Sequence, residues 1–203
     1  LAAITGRVCP HTCESDCNRY DYDEPVSIRD VERYLGDYML EHAPAFYRPP
    51  AAESGRRVAI VGAGPAGLSA AYFLRQAGHT VTVLDQMPRA GGMLTYSIPA
   101  YRMPRPILQR DVDIIASVGS EIRYNTRVGK DITLPELKQQ YDAVFLGVGA
   151  GLPMFMNIPG ENFAGVFSAN EYLTRTNLMK AYRFPEDDTP VIHGKNVVTV
   201  GGG

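Results

Sequence analysis

One stretch of this sequence, residues 56–92, constrains the fold more than any other. It begins with the β-branched apolar run Val58–Val61, which predicts a buried strand. The glycine-rich turn at residues 62–67 (GAGPAG) follows, and Leu68–Ala77 has the composition of an apolar helix. A second strand is predicted over Thr80–Leu84. Strand, glycine turn, helix and strand in this order are typical of a dinucleotide-binding βαβ unit.

The positions of the turn match the physical needs of a bound pyrophosphate. Gly62 allows the tight turn out of the strand, Gly64 lets the backbone approach the ligand, and Gly67 lets the helix pack closely on the sheet. The helix N-terminus offers N–H groups and a positive dipole to the phosphates. Asp85 directly follows the second strand, where a carboxylate accepts hydrogen bonds from ribose hydroxyls.

The rest of the chain repeats the alternation of strands and helices. Pro106 starts a predicted helix that Gly119 ends, and Ile122–Tyr124 is a short predicted strand. Thr133 and Glu136 have the spacing of a capping box before another helix. Ala143–Leu146 then predicts a buried strand. Such alternation predicts an α/β fold with a parallel sheet and helices on its faces.

A βαβ unit of this kind binds either NAD or FAD. A second glycine pair, Gly91 and Gly92, follows the unit, and Lys195–Gly203 predicts a further strand that runs into a glycine turn. These two features favour FAD at the first unit and NAD(P) at the second. The sequence also predicts that the second unit is cut off at this point.

All three cysteines, Cys9, Cys13 and Cys17, lie close together near the N-terminus. An odd number in so short a window argues against a disulfide framework, and neighbouring thiolates often share a metal or a cluster. Three hypotheses remain open: a [4Fe-4S] cluster, a zinc site completed by His11, and free or disulfide-linked thiols. The Cys-x2-Cys spacing typical of zinc is absent.

A predicted helix follows the cysteines. Ser27 and Asp30 have the spacing of a capping box. An apolar stripe on this helix, which we expect to pack against the protein, comprises Val31, Tyr34, Leu35, Tyr38 and Met39. The Pro-rich segment 44–55 predicts a linker.

Composition limits the partners of the chain. The net charge of −2 gives no reason to expect nucleic acid or an anionic membrane as a partner. No run of about 18 apolar residues is present, so we expect no membrane insertion. No targeting leader is visible, and the expected location is the cytoplasm.

Several separate stretches agree on one family. They are Gly6–Pro10 with Cys13 and Cys17, Val58–Leu74, Gly91 with Gly92, Ile98–Pro104, Ala143–Ala150 and Ile158–Glu161. On these residues the chain resembles the N-terminal half of the flavoprotein family that contains the small subunit of bacterial glutamate synthase. The same family includes the N-terminal part of dihydropyrimidine dehydrogenase and the large subunit of NADH-dependent ferredoxin:NADP oxidoreductase.

The resemblance implies FAD, NAD(P) and a [4Fe-4S] cluster as cofactors. It assigns to FAD the residues Gly62, Ala63, Gly64, Pro65, Ala66, Gly67, Asp85, Gly91, Gly92, Met93, Gly149 and Ala150. It assigns Gly201 and Gly203 to the NAD(P) motif. The cluster ligands would be Cys9, Cys13 and Cys17, while Thr5 stands where the family often has a cysteine. Some relatives take a carboxylate or amide ligand from the following helix, so Glu32 is the expected fourth ligand, and His11 is the other local candidate.

The resemblance also implies domains and an activity. The expected segments are a helical iron–sulfur module (1–43), a linker (44–55), the first part of an FAD-binding domain (56–194) and the start of an NAD(P)-binding domain (195–203). Electrons would pass between NAD(P)H, FAD and [4Fe-4S] clusters toward other redox subunits of a hetero-oligomeric complex. No catalytic side chain is expected, because the cofactors carry the chemistry. The alternatives are an electron-relay or docking subunit that does not itself oxidise NAD(P)H, and a zinc-stabilised nucleotide-binding module without redox function.

Overall fold

A parallel four-stranded sheet forms the centre of the larger of two units. The computed structural model describes residues 1–191 and 194–201, and the chain divides into the units Leu1–Gly149 and Ala150–Gly203. The strands are β1 (Arg57–Val61), β2 (Thr80–Leu84), β3 (Ser120–Arg123) and β4 (Ala143–Leu146). Their order is β3-β2-β1-β4, and each neighbouring pair is parallel. The predicted α/β fold with a parallel sheet is confirmed.

Helices precede, connect and follow these strands. They are α1 (Ala2–Val8), α2 (Thr12–Ser15), α3 (Ile28–Glu41), α4 (Ala43–Phe46), α5 (Pro65–Gln76), α6 (Met93–Tyr96), α7 (Arg105–Ser117), α8 (Leu134–Gln140) and, in the second unit, α9 (Ala169–Asn177). Helix α5 begins at Pro65, where proline loses no helical hydrogen bond. Gly78 follows the end of α5 with a φ of +84°. Helix α8 begins with the predicted capping box of Thr133 and Glu136.

The edge strand β4 is exposed or half-buried, so the prediction that Ala143–Leu146 is a buried strand is wrong, because an edge strand has a neighbouring strand on one side only. At the centre of the sheet, hydrophobic side chains cover both faces, because successive strand residues point to opposite sides. On one face, Ile60 belongs to a buried cluster with Leu68 of α5 and Ile115 of α7. On the other face, Ala59 packs in a cluster with Leu137 of α8. The central strand β1 is therefore buried between two layers of helices.

The N-terminal helices pack closely on each other and on this sheet domain. A Cβ atom at Gly36 of α3 would lie 2.1 Å from the backbone nitrogen of Ala3 in α1. Arg7 donates two hydrogen bonds, 2.7 and 2.8 Å long, to the carboxylate of Asp37. Ile4 of α1 is buried in the same hydrophobic cluster as the sheet. The cysteine-containing segment therefore belongs to the same packed unit as the glycine turn.

The N-terminus of α3 is capped differently from the prediction. Ser27 is the N-cap residue, but its side chain makes no capping hydrogen bond. The backbone N–H of Arg29 donates instead to the carboxylate of Glu14, at 2.9 Å. The predicted box of Ser27 and Asp30 is wrong, because a carboxylate from the cysteine segment takes the place of the local serine.

The apolar stripe of α3 lies on the exposed side of the helix. Val31, Tyr34, Leu35 and Tyr38 are exposed, and Met39 is half-buried. The buried residues of α3 are Gly36 and Leu40. The prediction that the stripe packs against the protein is wrong, because the face that packs contains a glycine, which adds nothing to a hydrophobic pattern.

The second unit contains α9 and a short 3-10 helix, Ala181–Arg183. Ser168 caps α9 by accepting a hydrogen bond from the N–H of Glu171. The strand predicted from Lys195 is absent at residues 194–201, since a strand forms only when a neighbouring strand takes up its backbone hydrogen bonds. Gly202 and Gly203 lie outside the described residues. Within the described ranges, no helix combines the length and apolar character needed to cross a bilayer.

Candidate cofactor sites

Two glycines of the first turn are required by the backbone itself. Gly62 has a φ of +104°, and a Cβ atom there would lie 2.3 Å from the carbonyl oxygen of Gly147. A Cβ atom at Gly67 would lie 1.8 Å from the carbonyl oxygen of Gly62. Both positions therefore exclude any side chain, as predicted from the close approach of helix and sheet.

Gly64 has a different environment. A Cβ atom there would meet only the Cα atom of Gly92, at 3.9 Å, and its φ of −76° suits any residue. Gly92 has a φ of +53°, and a Cβ atom at that position would lie 2.9 Å from the Cα atom of Gly64. The N–H of Gly91 donates to the carbonyl of Ala63 at 2.8 Å. The second glycine pair thus folds back on the first turn and forms a cradle without side chains, which fits a pyrophosphate.

The first turn of α5 borders this cradle. Pro65 and Ala66 are its first residues, and the N–H groups at the start of any helix have no acceptor within the helix. Together with the helix dipole they favour a bound anion. The cradle therefore combines open space with positive electrostatic potential.

Asp85 links the glycine turn to the end of β2. It is 8% exposed, and its carboxylate accepts hydrogen bonds from the N–H groups of Ala63, at 2.6 Å, and Met87, at 2.8 Å. A carboxylate has about four acceptor directions, so two remain for ribose hydroxyls. The structure brings Asp85 and the glycine turn together, as the sequence predicts.

The residues that follow the cradle enter the short helix α6. Met93 is its first residue and is exposed, whereas Tyr96 is buried. The Tyr96 hydroxyl donates to the carbonyl of Arg89, and burial raises the pKa of Tyr96 to about 12. Tyr96 is therefore a neutral hydrogen-bond donor at physiological pH.

Four further residues were predicted to bind nucleotide: Gly149, Ala150, Gly201 and Gly203. Gly149 has a φ of +68°, and a Cβ atom there would meet nothing within 4 Å. Ala150 and Gly201 belong to the second unit, and Gly203 lies outside the described residues. The roles of these four residues stay predictions.

The three cysteines follow one another around a short loop. Cys9 ends α1, Cys13 lies in α2, and Cys17 precedes the 3-10 helix Asn18–Asp21. Backbone N–H groups point at the sulfur atoms of Cys9 and Cys17. The N–H of His11 donates to Cys9 Sγ at 3.4 Å. The backbone N–H of Val26, followed by those of Arg19 and Tyr20, lowers the pKa of the Cys17 thiol.

Such N–H donors stabilise thiolates, which are the form of cysteine that binds iron. The donor set therefore fits a thiolate-bound cluster. Over residues 1–191 and 194–201, no three His, Cys, Asp or Glu side chains are close enough to share one metal ion.

Glu32 lies on α3 and faces α1. Its carboxylate accepts a 2.6 Å hydrogen bond from the hydroxyl of Thr5. This brings the candidate fourth ligand to the position where the family often has a cysteine. The zinc alternative used His11, whose Nδ1 lies 2.9 Å from a guanidinium nitrogen of Arg29. The ligand roles of Glu32 and the cysteines stay predictions.

Sequence reasoning missed Glu14 as a residue that holds the cysteine segment against α3. Its carboxylate caps a helix that starts well after it in the sequence. No local pattern could have revealed this contact, because capping rules consider only the neighbouring residues.

Residues 56–203 match the pyridine nucleotide-disulphide oxidoreductase family, over most of the chain. The chain belongs to this family. Residues 1–44 match a second model, described as dihydropyrimidine dehydrogenase domain II with a 4Fe-4S cluster. The first match implies FAD and NAD(P) as cofactors and an oxidoreductase domain, and the second match implies a [4Fe-4S] cluster. The α/β flavoprotein fold with an N-terminal iron–sulfur segment is confirmed.

Three curated relatives of this chain are longer proteins. The chain is 44% identical over its whole length to NADPH-Fe(3+) oxidoreductase subunit beta of Geobacter sulfurreducens, and covers 30% of that protein. It is 39% identical, again over its whole length, to the beta subunit of NADP(+)-dependent formate dehydrogenase of Moorella thermoacetica, and covers 31% of it. It is 42% identical over 98% of its length to the small chain of NADPH glutamate synthase of Bacillus subtilis, and covers 41% of it. The chain thus spans less than half of each relative. The resemblance to the glutamate synthase small subunit is confirmed.

A solved structure supports the fold. FprA of Mycobacterium tuberculosis in complex with NADPH aligns with a TM-score of 0.56 and 26% identity, over 70% of this chain and 31% of FprA.

Proposed function

We propose that this chain is the cofactor-binding part of an electron-transfer flavoenzyme subunit. Electrons would pass between NAD(P)H, FAD and a [4Fe-4S] cluster, and then to a partner subunit or acceptor. The observation that carries this proposal is that the glycine cradle and the cysteine loop belong to one packed unit. Ile4 of α1 is buried in the core of the sheet domain, and Arg102 of that domain donates to the carbonyl of Val8, at 3.4 Å.

We propose specific roles for the residues around FAD. The cradle of Gly64 and Gly92 admits the pyrophosphate, and the first turn of α5 stabilises its charge. Asp85 accepts hydrogen bonds from the adenosine ribose. The full set proposed for FAD is Gly62, Ala63, Gly64, Pro65, Ala66, Gly67, Asp85, Gly91, Gly92, Met93, Gly149 and Ala150. Gly201 and Gly203 are proposed to bind NAD(P).

For the cluster, the proposed ligands are Cys9, Cys13, Cys17 and Glu32. The backbone N–H groups directed at Cys17 would favour its thiolate form, and the N–H of His11 donates to the sulfur atom of Cys9. FAD, when bound, exchanges two electrons with a nicotinamide and one electron at a time with an iron–sulfur cluster. The protein contributes position, hydrogen bonding and control of water access.

The proposed setting is a hetero-oligomeric redox complex in the cytoplasm. Three relatives carry the words subunit or small chain in their names, and these names specify NADPH or NADP(+). Thiolate ligands also require a compartment that keeps cysteines reduced, as the cytoplasm does. NADPH is therefore the first nucleotide to test, and other redox subunits are the proposed partners.

An anaerobic visible spectrum of the full-length protein tests this proposal, with flavin and iron measured on the same sample. We expect flavin absorbance over a broad iron–sulfur shoulder, and both should bleach when NADPH or NADH is added. Flavin and iron without bleaching would indicate a relay subunit that leaves nucleotide oxidation to a partner. Zinc without flavin would contradict both functions.

A further inference from the structure

A cavity of about 480 Å³ lies between the N-terminal helices and the loop that precedes α7. Its lining includes one histidine and five charged residues: Arg7, Arg29, Arg33, Arg102, Asp30 and His11. Four guanidinium groups therefore face one carboxylate. This local excess of positive charge contrasts with the net charge of −2 for the whole chain.

Two of these arginines are held by the protein itself. The Arg7 side chain is 8% exposed and forms a close ion pair with Asp37. Arg29 contacts His11 Nδ1 at 2.9 Å and Asp30 at 3.6 Å. The guanidinium groups of Arg7 and Arg29 are therefore largely occupied by contacts within the protein.

Among the residues that the structure describes, the other two arginines make only long contacts. Arg33 lies 4.0 Å from Asp37, which already binds Arg7, and its side chain is 55% exposed. Arg102 is exposed and donates a 3.4 Å hydrogen bond to the carbonyl of Val8. Both guanidinium groups can therefore turn toward an incoming carboxylate, which arginine binds with two parallel hydrogen bonds.

The cavity borders the cysteine loop. His11, in its lining, lies between Cys9 and Cys13 in the sequence, and Arg102 contacts the residue just before Cys9. A protein that occupies this surface would therefore lie next to the proposed cluster.

The rim of the cavity has the composition of a protein interface. Tyr101 lines it and is 89% exposed. Tyr34 is exposed and lies one helical turn from Asp30, at the start of the apolar stripe of α3. Arginine and tyrosine are enriched at the energetic centres of protein interfaces. An open surface with these residues suits a protein better than a small anion.

We propose that this surface docks an acidic electron-transfer protein, whose carboxylates pair with Arg33 and Arg102. The proposal deepens the function above, because docking beside the cysteine loop would place the partner's redox centre close to the cluster. Positive and negative patches of this kind set the association rate and the register of a complex.

Binding of a purified acidic ferredoxin to the full-length holoenzyme, measured by calorimetry, tests the proposal. The variants are Arg33→Gln and Arg102→Gln. The matched control is Arg127→Gln, which removes the same charge from an exposed arginine that does not line the cavity. We expect each cavity variant to raise the Kd about fivefold at about 20 mM salt, and the control to change it less than about twofold. The difference should shrink at about 300 mM salt, because exposed charges are screened.

The proposal is overturned if ferredoxin does not bind the wild-type protein, or if all three variants weaken binding equally. Saturable binding of inorganic phosphate would also overturn it, if both cavity variants abolished phosphate binding and left ferredoxin binding unchanged. The cavity would then be a site for a small anion. Thermal unfolding of each variant checks that the fold is intact. Bleaching by NADPH is recorded separately, so that ferredoxin binding without bleaching would contradict the proposed function and leave the docking surface standing.

Discussion

At the scale of single residues, the glycines of the first turn divide into two groups. Gly62 and Gly67 face backbone atoms too closely for any side chain, whereas Gly64 faces open space beside Gly92. The three positions look alike in the sequence. The structure therefore separates glycines that the fold needs from one that we expect the cofactor to need.

Replacing Gly64 by alanine tests this separation. We expect Gly64→Ala to lose about 1 kcal/mol of stability or less, because alanine is only a poorer N-cap. FAD affinity should fall at least about tenfold, because the methyl group occupies the path of the pyrophosphate. Urea unfolding of the flavin-free protein and a fluorescence titration with FAD measure the two effects.

Gly67→Ala is the matched comparison. Its methyl group would overlap the carbonyl of Gly62, and we expect about 3 kcal/mol of destabilisation from the forced displacement. A Gly64→Ala protein that binds FAD normally would show that the cradle is not the pyrophosphate site.

Asp111 is a buried carboxyl group that neither proposed site uses. It is 3% exposed, and its Oδ2 atom has no hydrogen-bond partner among the described residues. Burial raises the pKa of Asp111. Ionisation is therefore less favourable in the folded state than in the unfolded state, where the pKa is about 3.9. The wild-type protein should lose stability as the pH rises from about 4 through the raised folded pKa.

Replacing Asp111 by asparagine should remove this pH dependence. We expect Asp111→Asn to be about 1 kcal/mol more stable than the wild type at pH 7, and the difference to disappear near pH 3. Thermal unfolding over this pH range measures it. Asp113→Asn changes an exposed carboxylate on the same helix and should shift stability by less than about 0.5 kcal/mol. If the stability difference between the wild type and Asp111→Asn did not vary with pH, the raised pKa of Asp111 would be contradicted.

At the scale of elements, the sequence predicted the sheet better than the N-terminal helices. Strands β1 and β2 form where they were predicted. Each is marked by a β-branched run and by the glycine turn or acidic residue that follows it, and both of these signals are local in the sequence. Helix α3 was predicted, but its packing face was not. The face that contacts α1 depends on Gly36, and the cap depends on Glu14. Contacts of backbone with backbone, or with a distant carboxylate, leave no periodic pattern in a sequence.

Gly36→Ala tests the packing of α3 on α1. Alanine is the better helix former by about 1 kcal/mol, so propensity alone predicts stabilisation. We expect instead about 2 kcal/mol of destabilisation, because the new methyl group would lie 2.1 Å from the nitrogen of Ala3. Hydrogen exchange of α1 amides, together with urea unfolding, measures the loss.

Leu35→Ala is the control on the opposite side of α3. Leu35 is exposed in this structure, and its truncation should change stability by less than about 0.5 kcal/mol. If Leu35→Ala were the more destabilising of the two, the apolar stripe would be the packing face after all.

At the scale of the whole molecule, the glycine cradle and the cysteine loop differ in how strongly the packing of the surrounding protein holds them in place. The cradle lies on a sheet with helices on both faces. By contrast, no residue from Cys9 to Val26 is buried. The sequence predicted both sites from their residue types, but it did not show that one of them has almost no hydrophobic support. We infer that the metal holds the cysteine segment in place, as structural metals do in small domains.

Removing iron from the full-length holoenzyme with a chelator tests this inference. We expect the amides of residues 9–26 to lose hydrogen-exchange protection, since local opening is easiest where few contacts are buried. The amides of β1 and β2 should keep their protection, and FAD should remain bound, because the core around Ile60 does not involve the cysteine loop.

Removing FAD and keeping the iron is the reciprocal control, and it should loosen the amides near Gly92 while residues 9–26 stay protected. If iron removal exposed the β1 amides as well, the cluster would stabilise the whole unit, and the cysteine segment would be part of its folding core.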